Sequence, residues 1–137
     1  MFCLEIPMDP VAKGRPRVST RGGFARTYTP TKTRDAESEI QMHLRKAWNA
    51  PPLTGPIEAA IHFFVPIPAS FSKKKKLAMD GQPVLKRPDL DNYAKLVLDA
   101  ANGILFIDDA QVWLLELHKN YAFEGKIVIS MDYEGCG

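Results

Sequence analysis

Phe2, Leu4 and Ile6 alternate with Cys3 and Glu5, and this period of two predicts a first strand from Phe2 to Met8, closed by Pro7 and Pro10. Residues 10–34 break the pattern. Gly14, Gly22, Gly23, Pro16 and Pro30 deny them a helix and predict an irregular or hairpin-like segment. Thr31 or Thr33 can then cap a helix running to about Asn49. Ile40, Leu44, Ala47 and Trp48 give it an apolar face. Asp35, Glu37 and Glu39 crowd its start, and Arg45 and Lys46 its end, as the helix dipole favours. Ile57–Val65 is rich in β-branched and aromatic residues and predicts a core strand. Ser70 or Ser72 can cap a short helix through Lys73–Lys76 that ends before Gly81.

The most regular stretch follows. Tyr93, Leu96, Val97, Ala100 and Ile104 share one helical face, and Asn92, Lys95, Asp99 and Asn102 share the other. The helix runs to about Asn102, and Gly103 stops it. A short strand, Ile104–Ile107, leads to an Asp108–Asp109 turn. Two further strands, Gln111–Lys119 and Lys126–Asp132, run antiparallel and join around Tyr121–Gly125. The histidines, His43, His62 and His118, are scattered, and Trp48 and Trp113 sit in apolar-patterned elements that predict core positions. This order predicts an α+β fold, a small mixed β-sheet packed with helices.

The chain has 137 residues, 45% of them hydrophobic and 25% charged, which sets the expectation of a single domain over residues 1–137 with its own core. No apolar run approaches the length of a membrane span, and no signal pattern opens the chain, so a soluble cytoplasmic protein with no membrane partner is expected. Cys3 and Cys136 lie near opposite ends. They read as free thiols, with a terminal clasp as the alternative. There is no CxxC pair and no HExxH, which removes the usual zinc patterns.

The formal net charge of +2 conceals an asymmetry. Residues 10–87 hold 15 Lys and Arg against 5 Asp and Glu, whereas residues 88–137 hold 3 against 9. Lys13, Arg15, Arg17, Arg21, Arg26, Lys32 and Arg34 precede any acid after Asp9, with Phe24 and Tyr28 interleaved. Such a segment suits phosphates, and its aromatics suit unpaired bases; the alternative is a solvated loop. Lys13, Arg15, Arg17 and Arg26 are the candidate DNA contacts there. Lys86 and Arg87 can seat phosphates beside the carboxylates. Lys73–Lys76 reads as a solubilising run or a second DNA contact.

Asp89, Asp91, Asp108 and Asp109 carry the chemistry. Asp89 and Asp91 flank one residue at a helix start and can point to the same place. The Asp108–Asp109 turn can fold a third carboxylate back toward them. Converging carboxylates repel unless a cation lies between them, and hard oxygen ligands select Mg²⁺ or Mn²⁺. Lys95, one turn past Asp91, can neutralise a carboxylate or reach a phosphate oxygen, and Asp99 can hold Lys95. The plain alternative is that these aspartates are helix caps and turn residues. A calcium loop of the EF-hand type is excluded by the missing Gly and Glu.

Arg87-Pro88-Asp89-Leu90-Asp91-Asn92 with Lys95, then Asp99-Ala100 with Asn102-Gly103, then Asp108-Asp109 with Gln111-Val112, resembles the signature of the RusA family of Holliday junction resolvases. Lys13-Gly14-Arg15-Pro16-Arg17 and Tyr28-Thr29-Pro30 fit the same family, and the resemblance spans about Ile6 to Val128. It implies a RusA-like homodimer that needs Mg²⁺, with Mn²⁺ as a substitute, and that nicks two opposed strands of a four-way DNA junction. Carried over by position, Asp89, Asp91 and Asp109 bind metal and Lys95 is the essential base-charged partner. Alignment on Gln111-Val112 favours Asp109 over Asp108. A two-fold protein suits a junction of near two-fold symmetry. The readings kept beside this one are a non-catalytic DNA-binding module and a nuclease for other branched DNA.

Overall fold

The computed structural model describes residues 1–14, 17–19, 26–28 and 31–134, with 17–19 and 26–28 described by backbone alone. Six strands and three helices follow in order: β1 Phe2–Ile6, β2 Arg17–Ser19, β3 Arg26–Tyr28, α1 Thr31–Ala47, β4 Ile57–Pro66, α2 Lys73–Met79, α3 Leu90–Ala101, β5 Val112–Ala122 and β6 Lys126–Tyr133. A 3₁₀ turn at Asp109–Gln111 leads into β5. The fold is α+β, as the pattern of positions predicts.

Four strands form one mixed sheet in the order β1-β6-β4-β5. β4 is antiparallel to β6 and parallel to β5. A parallel pair needs a long crossover, and residues 67–111, with α2 and α3, supply it. β5 and β6 do run antiparallel, as expected, but they are not neighbours, because β4 lies between them. The connector Phe123–Gly125 is enough for this, since stepping over one strand spans about 10 Å. β2 and β3 pair as a separate antiparallel ribbon, Arg17 opposite Tyr28 and Ser19 opposite Arg26, so the predicted hairpin-like segment does contain a two-stranded ribbon.

β4 explains why it takes the centre. Ile57, Ala59, Ile61 and Phe63 are buried on one face, and Glu58, Ala60, His62 and Phe64 are half-buried on the other. The buried face joins Ile127, Ile129 and Met131 of β6 and Ile6 of β1 against Ile40 and Leu44 of α1 and Tyr93, Leu96, Val97 and Ala100 of α3. The helices therefore cover one face of the sheet. On the other, the His62 and His118 rings lie 5.2 Å apart, and His62 Nε2 meets Asn120 Oδ1 at 2.8 Å.

Several local expectations change. The buried face of α1 is Thr33, Ala36, Ile40 and Leu44, so it lies further toward the helix start than Ala47 and Trp48. Its first turn holds no acid, because the helix begins at Thr31 and Asp35 falls beyond that turn. Trp48 sits past the helix end and packs edge-on against Phe2 and Tyr133 at 5.3 and 5.6 Å. Trp113 is 64% exposed rather than core. The β4–β5 register steps from Ile57–Val112 to Glu58–Leu114, which leaves Trp113 without a partner on β4. Ile104–Ile107 is a turn, not a strand. Ile104, Leu105 and Phe106 are nonetheless buried, and Leu53 clasps the turn by donating to Leu105 O and accepting from Ile107 N. Ser72 caps α2 through Lys75 N, as expected. Gly103 takes φ +79° just past α3, a conformation that favours glycine. Cys3 is an exposed free thiol, and Cys136 lies outside the described residues.

Leu96 is fully buried at the centre of the face by which α3 meets the sheet. Leu96→Ala is expected to cost about 3 kcal/mol, read as a lower urea midpoint at unchanged slope. Gln111 Nε2 donates to Leu53 O and Gly55 O at 2.9 Å each, and its Oε1 accepts from Asp108 N at 2.9 Å. Gln111→Leu should cost about 2 kcal/mol, because it removes the side-chain partner of Gly55 O and Asp108 N and leaves Leu53 O with Ile107 N–H alone. Hydrogen exchange at Asp108 should rise in that variant more than exchange in β4.

Candidate functional site

The face of α3 opposite its core residues, the loop before it and the turn after it make the site. Lys119 Nζ on β5 donates to Lys86 O and Pro88 O at 2.9 Å each, which fastens the loop that carries Lys86 and Arg87. Val84 anchors the same loop, being buried and donating through its N–H to Lys119 O. Lys86 and Arg87 themselves are exposed, so their charged heads face solvent beside Asp89.

Asp89 is the N-cap of α3. Its carbonyl accepts from Asn92 N and Tyr93 N at 3.1 and 3.3 Å, but its carboxylate makes no capping hydrogen bond. An N-cap aspartate ordinarily spends an oxygen on that bond. Asp89 keeps both oxygens free of it. Asp91 is exposed in the first turn, where the dipole of α3 favours a negative charge. Lys95 follows one turn on, with its side chain 62% exposed and its ammonium 3.9 Å from Asp99 Oδ2.

The adjacent acids Asp108 and Asp109 have different surroundings. Asp108 caps the 3₁₀ turn: its Oδ1 accepts from Ala110 N at 3.5 Å while Gln111 returns the bond to Asp108 N, a reciprocal capping box. The Asp109 carboxyl pKa is raised, first by a hydrogen bond with Asp108, then by burial and by the charges of Asp108 and Asp99, against the opposing pull of Lys95. Asp109 is thus within electrostatic reach of Lys95 and Asp99.

Asp89, Asp91 and Asp109 were expected to converge. Among the described residues, no three His, Cys, Asp or Glu side chains stand grouped as a metal site. Carboxylates repel without a cation between them; Asp89 and Asp91 lie exposed at the start of α3, and Asp109 lies in the turn beyond its other end. The donor chemistry still fits a hard cation. Mg²⁺ characteristically takes one or two protein carboxylates and fills its shell with water and phosphate oxygens, and these donors are all carboxylate oxygens, at the start of α3 and in the turn after it. Asp109, with Asp89 or Asp91, could hold such an ion.

Lys13 was expected on DNA, but its ammonium lies elsewhere. It forms ion pairs with Glu37 Oε1 on α1 and with Asp99 Oδ2 on α3, the latter at 3.2 Å. Burial alone would lower its pKa, but the hydrogen bonds and charges of Glu37 and Asp99 outweigh that and raise it. Lys13 N also donates to Asn92 O, and Gly14 N to Thr33 Oγ1, each at 2.9 Å. The start of the basic segment is therefore fixed to both helices. Arg15, Arg21 and Phe24 lie outside the described residues, and Arg17, Arg26 and Tyr28 are placed only by the backbone of the ribbon. Lys73–Lys76 occupy α2, which buries no residue, and Lys75 lies over the Phe71 ring at 3.9 Å. No described helix is long and apolar enough to cross a membrane.

Pattern reading alone missed the supporting roles of Lys119 and Leu53, since a lysine ending a strand and a leucine between prolines carry no distinctive signal. Gln111 gave a signal only through its place after Asp108-Asp109.

The model of a family described as endodeoxyribonuclease RusA matches residues 7–132, which take in the basic segment, α3 and the Asp108–Gln111 turn. The Bacillus subtilis (strain 168) protein YqaN, described as uncharacterized, is 32% identical over 135 residues, a span of 94% of this chain and 95% of that one. The chain belongs to the RusA endodeoxyribonuclease family.

Proposed function

We propose that this protein is a divalent-metal-dependent endodeoxyribonuclease that resolves four-way DNA junctions by symmetric nicks in two opposed strands, acting as a homodimer. Such cutting leaves ligatable ends, as DNA recombination and repair require. The observation that carries the reading is the unspent carboxylate of Asp89, which sits at the N-cap of α3 without capping it, on the helix that presents the exposed ammonium of Lys95. The catalytic set is Asp89, Asp91, Lys95 and Asp109, with the metal taken by Asp109 together with Asp89 or Asp91 and its shell completed by water and phosphate oxygens.

When bound, Mg²⁺ or Mn²⁺ supplies Lewis acidity, easing ionisation of a water and balancing charge on the phosphate. The residues of the chain do the rest. Lys95, exposed on the open face of α3, reaches a phosphate oxygen as negative charge builds there. Lys86 and Arg87 seat the strand beside the carboxylates, on a loop that Lys119 keeps from moving. Arg17 and Arg26 of the ribbon, with Arg15 of the same basic segment, hold more distant phosphates, and a second copy offers the same residues to the opposed strand.

A synthetic four-way junction with Mg²⁺ or Mn²⁺ tests the reading. Wild type is expected to cut it in preference to a fork or a linear duplex, and chelation should stop the cutting. Asp89→Asn, Asp91→Asn and Asp109→Asn should each lower turnover by about 100-fold or more while junction binding is kept or tightened. Near-normal turnover in Asp91→Asn would overturn the metal assignment. Binding without cutting in either metal would instead indicate a DNA-binding module. For Arg17→Ala and Arg87→Ala, the slope of log binding constant against log salt should become shallower by about one unit. An unchanged slope removes that residue from the DNA surface.

A further inference from the structure

We infer that Lys13 is a positioning residue, not a DNA contact: by neutralising Asp99 it leaves Lys95 free for the substrate. The inference rests on the nuclease reading for its consequence, but not for its geometry. Asp99 is offered two ammonium groups. Lys13 takes it at 3.2 Å, from a side chain only 22% exposed, and Lys95 stands off at 3.9 Å with 62% exposure. Asp99 itself is 25% exposed, so water does not fully compensate a lost partner. Glu37 holds Lys13 from the other side. The Lys13 N–H to Asn92 O bond prevents the side chain from swinging away with the basic segment.

The arrangement is a competition for one carboxylate. With Lys13 present, Asp99 is satisfied and the Lys95 ammonium projects over the open face. With Lys13 removed, Asp99 keeps a charge, and among the described residues Lys95, at i−4 on the same helix, is the other cation paired with it. Lys95 would close onto Asp99 and withdraw from a phosphate. Because residue 13 opens the basic segment, this also ties that segment to the catalytic helix.

Four full-length variants test this: Lys13→Met, Lys13→Arg, Glu37→Gln and the double variant Lys13→Met with Asp99→Asn. Two readouts are taken, junction turnover at saturating DNA and the rate of acetylation at Lys95 by acetic anhydride, followed by mass spectrometry without DNA. In Lys13→Met, turnover should fall about tenfold and Lys95 should acetylate several-fold more slowly, with the salt slope of binding unchanged. The double variant should recover both readouts, a non-additivity that simple loss of packing would not give. Lys13→Arg and Glu37→Gln should remain close to wild type in both. Should Lys13→Met fold poorly, Lys13→Arg and Glu37→Gln still decide, since loss of turnover in either places the role in helix packing instead. A shallower salt slope in Lys13→Met, or no relief from Asp99→Asn, overturns the inference. If wild type cuts no junction, the nuclease reading falls, while Lys95 acetylation still decides the competition for Asp99.

Discussion

A handful of polar side chains, bonded to backbone carbonyls or to carboxylates, hold the irregular parts of this protein in place, and the candidate functional groups on those parts depend on them. α3 is secured by its apolar face, but a helix face alone does not fix the chain on either side of it. Lys119 fixes the loop before α3 through two carbonyls, and Gln111 fixes the turn after it through two more. Lys13 fixes the start of the basic segment against both helices. Each tie reaches across more than twenty residues of sequence, and each ends on or beside a charged residue of the site. Loops that carry function need such ties, because they have too little apolar surface to hold themselves.

How much of this the chain reveals in advance depends on the range of the interaction. Period-two and helical spacing located β1, β4, α1 and α3 to within a few residues, because burial of Ile57, Ile61, Leu96 and Val97 follows directly from local pattern. Strand adjacency was not legible, since nothing in Lys126–Tyr133 states that it pairs with β4 on the side away from β5. Ile104–Ile107 looked like a strand because it is apolar and β-branched at both ends. Its burial comes instead from a turn clasped by Leu53, a contact across the sequence. Trp113 looked like core for its size alone, and a register step put it outside. The acids of the site were legible as residues. Their differing roles were not, since capping is a matter of geometry.

Charge is distributed to the same end. The acidic half contributes the face of α3 and the turn beside it, and the basic half supplies the ribbon and the loop at Lys86 and Arg87. Folded together, the two halves set carboxylates next to cations within a few ångströms, closer than the roughly 8 Å over which physiological salt screens them. A nucleic-acid strand can approach such a surface only if the cations are not consumed by the acids. Lys13 is consumed, by Glu37 and Asp99, whereas Lys95 remains largely exposed. One lysine spent internally thus spares another.

The same accounting separates acids that serve structure from acids that serve chemistry. Asp89 and Asp108 hold equivalent positions, each the N-cap of a helical turn in extended backbone conformation. Asp108 uses its carboxylate as a cap should, in a reciprocal box with Gln111. Asp89 does not, although α3 is the longer helix and has more unpaired N–H groups for its dipole to present. A cap bond is worth about 1 kcal/mol, so a cap position that leaves it unmade retains a carboxylate for some other partner. Asp108 is occupied by its cap, and the raised proton affinity of Asp109 answers first to Asp108 and to burial, then to Asp99 against Lys95. Two neighbouring aspartates of identical chemistry are thereby given different duties by one backbone N–H and one glutamine.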